Sequence, residues 1–306
     1  MKIIFGIILF IFVNISSICS ADTIDIVAIK SQNTIPYNTT LCEFKDYLKR
    51  QHMEVRVKEI ALRNKTQDEL LNIEEIIKSI RPNLILALGT PAARLAQESA
   101  ENIPVLSTMV LDPKSSKIEP PSISIDIPVK IKLRQIKSIL PDVKKIGLFY
   151  SPSTRNVFEE ASQISGRLGL EIIAWQINSA RELHNAFNGM CQRIDCFLII
   201  PDSTIYSPKC VEYILIEAFR KKIPVIGLSA SYTRAGALIS FECNYESLGK
   251  QAAETVLNML HGKDPAMIGH SGPKEIGFSL NLLAARRLGV KISTEIIKQA
   301  REVFGE

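Results

Sequence analysis

LILALGTPAA, residues 84–93, decides the fold. An apolar run that meets a Gly-Thr-Pro turn and then small residues is how a buried parallel strand hands over to a helix. Gly89 can take backbone angles that other residues resist, Thr90 suits the helix N-cap, and Pro91 suits the first helical position. The turn would leave a hydroxyl and free N–H groups beside the positive end of a helix dipole, a ready binder of a carboxylate or another anion. The chain then repeats the unit. IDCFLIIPDSTIYSP, residues 194–208, is again an apolar strand, a polar turn and the start of a helix. Each unit leads to a short strand opened by the same dipeptide, Ile103-Pro104-Val105 in one case and Ile223-Pro224-Val225 in the other. Two similar halves are expected.

The bulk properties narrow the classes. The 306 residues are 46% hydrophobic and 23% charged, an ordinary globular balance with enough length for two domains. The net charge of +5 is spread thinly, with no basic block longer than Arg220-Lys221-Lys222, so no nucleic-acid partner is expected. Residues 1–21 stand apart: Lys2, an apolar run at 3–13, then small and polar residues ending Cys19-Ser20-Ala21. That is the plan of a secretory signal cleaved before Asp22, so an exported mature chain is expected. Ile18 occupies the position where a lipoprotein signal at Cys19 would want a small residue.

Five further cysteines, Cys42, Cys191, Cys196, Cys210 and Cys243, leave at least one thiol without a partner in the chain. Cys191 and Cys196 could meet across a short turn, or Cys196 could be core. No pair has a metal-ligand or redox spacing, and the histidines do not cluster, so neither a metal nor another cofactor is expected. The turn at Gly89 lacks the lysine and length of a phosphate loop, and no Gly-x-Ser-x-Gly or dinucleotide fingerprint occurs, so the chain does not read as an enzyme.

Periodicity from residue 23 onward alternates strand and helix. Strands are expected at 23–29, 54–60, 84–88 and 105–109, with helices at 39–52, at 66–80 behind a Thr66/Glu69 capping box, and after Pro91. The Ser- and Pro-rich stretch 114–128 interrupts this pattern and reads as a passage between domains. A second half follows: helix 129–139, strand 145–150, helix 153–168, strand 170–176, helix 179–188, the second organising unit at 194–222, and strand 225–228. Strand 237–241, helix 245–261, strand 275–280, a helix to Leu288 and an amphipathic end from Thr294 complete the chain. Such alternation argues for parallel sheets covered on both faces.

Several stretches resemble the solute-binding components of bacterial ABC importers that have a type I periplasmic-binding fold. They are residues 86–93 (LALGTPAA), 140–147 (LPDVKKIG), 223–227 (IPVIG) and 249–254 (GKQAAE), together with Leu280-Asn281 and 284–289 (AARRLG). The resemblance covers nearly the whole mature chain. It implies an α/β fold of two doubly wound parallel-sheet lobes, joined by a hinge that the chain crosses three times. The implied division is 22–126 with 243–268 in the first lobe, and 127–242 with 269–306 in the second. The crossings are expected near 124–129, 241–244 and 263–274.

Ligands bind outside the carboxyl ends of strands in open α/β sheets, so residues just past each strand are the site candidates. These are Ser31, Gln32, Thr90, Asp112, Tyr150, Ser151, Asp202, Ser203, Tyr206 and Ser229. Thr90 with its helix could accept a carboxylate, Asp202 could receive an ammonium or hydroxyl, and Tyr150 or Tyr206 could stack on an apolar portion. Asp202 and Ser203 could equally cap the helix that follows. An acid and an anion-binding helix end suit an amino-acid-like small molecule. The resemblance implies a monomer that delivers this ligand to ABC permease subunits in the inner membrane. A periplasmic sensor that presents its bound state to a signalling receptor would use the same binding chemistry.

Overall fold

The computed structural model of the chain describes residues 23–62 and 67–305. The expected export signal at 1–21 and the Thr66 end of the expected capping box lie outside the described residues. The first half runs β1 (Ile24–Lys30), α1 (Ile35–Arg50), β2 (Val55–Ala61), α2 (Gln67–Ile80), β3 (Leu84–Leu88), α3 (Thr90–Ser99), β4 (Val105–Val110) and β5 (Ser122–Ser124). The second runs α4 (Val129–Ile139), β6 (Lys145–Tyr150), α5 (Arg155–Ser165), β7 (Glu171–Gln176), α6 (Leu183–Met190), β8 (Cys196–Leu198), α7 (Pro208–Arg220), β9 (Val225–Gly227), α8 (Ala230–Ala235) and β10 (Ile239–Cys243). There follow α9 (Tyr245–Leu260), α10 (Pro265–Ile268), β11 (His270–Ser271), β12 (Ile276–Asn281), α11 (Leu282–Leu288), α12 (Thr294–Gln299) and β13 (Glu302–Phe304).

The strands form two sheets, ordered β11-β5-β4-β3-β1-β2 and β13-β12-β10-β9-β8-β6-β7. Sequence pattern decides each strand's place. All five residues of β3 are buried, as a central strand covered on both faces requires, and it pairs in parallel with β1 and β4. In β2 the exposed residues Arg56, Lys58 and Glu59 interrupt the apolar ones, and this strand forms the sheet edge. Every pairing in the first sheet is parallel, whereas β10 and β12 of the second pair antiparallel, a departure from the expected all-parallel pattern.

Helices cover both faces of both sheets. In the first lobe, Phe44, Leu48 and Leu86 share one cluster with Leu248 and Val256 of α9, while Val27, Ile29, Ile73, Ile77 and Ala96 form another. In the second, Leu133, Ile136 and Leu148 belong to one cluster, and Phe149, Phe187, Phe197 and Ile214 to the other. Each sheet is therefore doubly wound. Helix α9 returns to the first lobe and lies close on α1, so close that a Cβ at Gly249 would fall 2.3 Å from the Thr40 carbonyl oxygen. Such an approach is possible only without a side chain.

The chain passes between the sheets three times. The first passage follows Ser124 and precedes α4, and the second falls at Asn244 between β10 and α9. His270 and Ser271, expected in the second lobe with 269–306, instead pair with Ser122 and Ile123 of the first sheet, so the third passage is residues 272–275. A two-residue strand carries no periodicity to reveal it. Asn244 ties the second and third passages together: its N–H donates to the Glu275 carbonyl oxygen at 3.0 Å, and its Nδ2 to Glu275 Oε2 at 3.0 Å. Its Oδ1 also caps α9 by accepting from the N–H groups of Glu246 and Ser247.

Helix α1 starts at Ile35, four residues before the expected start, because Pro36 sits within the first turn where its missing N–H costs nothing. Helices α8 and α12 and strand β13 are too short for pattern reading, and α8 and β13 have no counterpart among the expected elements. All five cysteines after residue 22 are free thiols. Among the described residues no helix is long and apolar enough to cross a membrane.

Candidate functional site

Both sheets change strand direction of growth at a pair of neighbouring strands, β1/β3 in the first and β6/β8 in the second. A crevice opens at such a switch point, at the carboxyl ends. The expected residues Ser31 and Thr90 flank the first, and Ser151 and Asp202 the second.

At the first switch point Gly89, not Thr90, is the N-cap of α3, with φ of 91° in a region that L side chains rarely adopt. Thr90 is the first helical residue, and no cap bond comes from the N-cap side chain. The cap comes from the adjacent strand: Ser31 Oγ accepts from the Ala92 N–H at 3.0 Å. Thr90 is spent differently, accepting from the Leu111 N–H at 3.2 Å and so tethering the loop after β4. Tyr37 of α1 stands over the turn, its hydroxyl 2.9 Å from where a Gly89 Cβ would be. Burial raises the Tyr37 pKa above its ordinary value.

The loop after β4 is held by carboxylates. Asp112 has φ of 37°, accepts from the Ser115 N–H, and donates its own N–H to Asp126 Oδ2. Asp126 Oδ2 also accepts from Ser124 Oγ at 2.9 Å, on the first hinge passage. Gln32, next to Ser31 in the chain, is exposed.

At the second switch point Asp202 is buried and binds three donors across two loops. Its Oδ2 accepts from the Ser151 N–H at 3.2 Å and Thr154 Oγ1 at 2.6 Å, and its Oδ1 from the Thr204 N–H at 2.9 Å. Burial alone would raise its pKa and is the largest single influence, but the donors from Ser151, Thr154 and Thr204 together outweigh it and hold the carboxyl below its ordinary value. Asp202 is not the cap of α7; Ser207 is, accepting from the Cys210 N–H. Ser203 is exposed next to it.

The two expected stacking residues are engaged within the second lobe. Tyr150 stacks on Phe158 with centroids 4.6 Å apart and planes within 7°, with the Arg155 guanidinium 5.8 Å from its ring. Tyr206 donates to the Phe149 carbonyl oxygen, and its ring lines a groove of ≈ 640 Å³ between α7 and α8, with Val211, Leu215 and Tyr232. Ser229 pairs with Ser231, Oγ to Oγ at 2.7 Å, at the start of α8. There the Ala230 N–H donates to Glu242, whose pKa burial raises.

The structure thus groups Ser31, Thr90 and Asp112 at the rim of the first lobe, and Ser151, Asp202 and Ser203 at that of the second. Sequence reading missed Tyr37, hidden ahead of the expected helix start, and Asp126, which follows a strand of only three residues. Among the described residues no cluster of three His, Cys, Asp or Glu could hold a metal ion.

Comparison with known proteins agrees with this architecture. A tyrosine-binding protein of Clostridioides difficile (strain R20291) is 26% identical over 197 residues, which are 60% of this chain and 56% of the relative. The match therefore spans little more than half the length of that relative. The ligand-free, open structure of a substrate binding protein with adhesive properties from Clostridium difficile superposes with a TM-score of 0.77 at 19% identity, over 92% of this chain and 100% of that one. The ABC domain of Streptococcus pneumonia in complex with L-Trp superposes with a TM-score of 0.66 at 19% identity, with the same coverage. These two share the two-lobed type I periplasmic-binding fold. Residues 42–304 match the family model for the ABC transporter substrate binding protein, and the chain belongs to that family.

Proposed function

We propose that this chain captures an amino-acid-like ligand in the cleft between its lobes and hands it to ABC permease subunits in the inner membrane. The observation that carries the reading is the pairing of two switch points with complementary chemistry. One ends in a Gly-Thr turn at a helix N-terminus, and the other in a buried carboxylate. A zwitterion presents both charges that such a pair would recognise, and Tyr37 offers an aromatic surface beside the first. The relative's name, tyrosine-binding protein, and the L-Trp held by a protein of the same fold support an aromatic side chain. In this reading the chain acts as a monomer in the periplasm after removal of residues 1–21, and it serves as a carrier without catalysis.

The test is a thermal melt with L-tyrosine, L-tryptophan or D-ribose. A bound ligand at about 100 times its dissociation constant adds ~2.7 kcal/mol. For lobes of this size that raises Tm by roughly 5–11 °C. The aromatic amino acids should give this shift and D-ribose none, and scattering should show a smaller radius of gyration with ligand, since only a closed cleft makes contacts from both sides. A shift with ribose alone would overturn the reading.

A further inference from the structure

Helix α4 begins directly after the first hinge passage, and its apolar stripe contains a lysine. Val129, Lys132, Leu133 and Ile136 fall at i, i+3, i+4 and i+7, and all four are buried. Lys132 is only 6% exposed. Burying an ammonium is costly unless something pairs with it. Yet among the described residues Lys132 donates no hydrogen bond and has no carboxylate within 4 Å; Asp126 acts on it from farther away. Among the described residues the fully enclosed side-chain polar atoms without a partner are the hydroxyls of Ser99, Ser107 and Thr108. The Lys132 ammonium, also unpartnered, is not among them and so keeps an opening to solvent.

The topology places the helix end that carries Lys132. Residues 140–144 reverse the chain between α4 and β6, so the first turns of α4 lie level with the carboxyl end of β6, where Tyr150 shares a core cluster with Val129 and Leu133. Ser151 and Asp202 lie at that same end. On the hinge side Asp126 already accepts from Ser124 and Asp112, which leaves its charge only partly available to the lysine. Burial lowers the Lys132 pKa to about 8, against a smaller upward pull from Asp126, so the side chain is still mostly charged at neutral pH.

We propose that Lys132 adds a cation to the anion-binding side of the interlobe site, and that its ammonium receives the carboxylate of the amino-acid ligand from the second lobe, as the Gly89-Thr90 helix end does from the first. A single cation at this end suits a zwitterion better than a dianion, because the ligand's own ammonium is then left for the Asp202 carboxylate. The assignment rests on the amino-acid reading above and adds a second group that reads the carboxylate. It also gives a reason for a buried lysine where a methionine would pack at lower cost.

The test compares L-tyrosine with L-tyrosinamide, which keeps the ring and the amine but lacks the carboxylate charge, on native protein, K132M and K132Q by calorimetry. Native protein should prefer the acid by roughly ten- to hundredfold, the usual size of a hydrogen bond to a charged group. In K132M and K132Q that preference should fall to within about threefold, largely through weaker binding of the acid. K132M should melt no lower than native protein, which separates loss of recognition from loss of folding. Retention of the acid preference in both variants overturns the assignment while leaving the amino-acid reading intact. Equal binding of acid and amide by native protein also overturns it. If native protein binds neither compound, the amino-acid reading fails and this assignment with it, an outcome recognised before any variant is made.

Discussion

Asp202→Ala should lower the melting temperature of the unliganded protein by roughly 6–16 °C, an effect on folding as well as on binding. The substitution releases the Ser151 N–H, the Thr154 hydroxyl and the Thr204 N–H together, two of them about 50 residues away in the chain. Hydrogen bonds to a charged group contribute ~1.5–3 kcal/mol each but do not add fully, so about 3–4 kcal/mol is expected for the three, at roughly 2–4 °C per kcal/mol. The pH dependence gives an independent check. The folded carboxyl lies below its ordinary value of 3.8, so its contribution is fully present above that pH and is lost as pH falls through the lower folded value. The gap in stability between native and variant should hold from pH 7 down to about 5 and narrow below about 4. Melts at pH 7, 5 and 3 measure it; a gap that stays constant to pH 3 would show that the carboxylate charge contributes nothing.

Gly89→Ala should destabilise the first lobe by about 3 kcal/mol and abolish tight ligand binding. Backbone strain at a φ of 91° contributes ~1–2 kcal/mol for a residue with a Cβ. Overpacking adds a further ~1–3 kcal/mol, since the new atom would sit 2.6 Å from Ser31 Oγ and 2.9 Å from the Tyr37 hydroxyl. Relief requires Ser31 to move, and its movement breaks the bond that caps α3 through Ala92. Strain, packing and the proposed anion-binding helix end are therefore coupled at one atom. Urea titration and calorimetry with L-tyrosine read the two effects, and a variant with native affinity would remove this turn from the site.

Much of the architecture was legible in the residues. LILAL reads as a strand buried on both faces and is one, and the helix after it follows from the small residues Ala92, Ala93 and Ala96, all fully buried. The apolar stripe of α4 and the run KIGLFY gave their elements to the residue. The resemblance along the chain carried the two lobes and the three hinge passages. What escaped was short: His270–Ser271, three-residue β13 and six-residue α8 bury too few side chains for a period to emerge.

For the candidate site the sequence determined which residues stand at the strand ends, because strand ends follow from hydrophobic period and turn chemistry, and these are local. Only the tertiary structure decided what each side chain is engaged with. Thr90 was well suited to cap its own helix, but parallel register sets Ser31 beside Ala92, 61 residues on, and the serine takes that N–H. Asp202 could have capped the following helix, but register places it against the turn after β6, and it binds the Ser151 N–H and the Thr154 hydroxyl there. Tyr150 and Tyr206 read as faces for a ligand, and the structure adds their partners within the lobe, Phe158 and the Phe149 carbonyl. A sequence reports how deeply a residue is buried through its periodicity, whereas its partner depends on which distant strand lies alongside, a quantity set by sheet order and register.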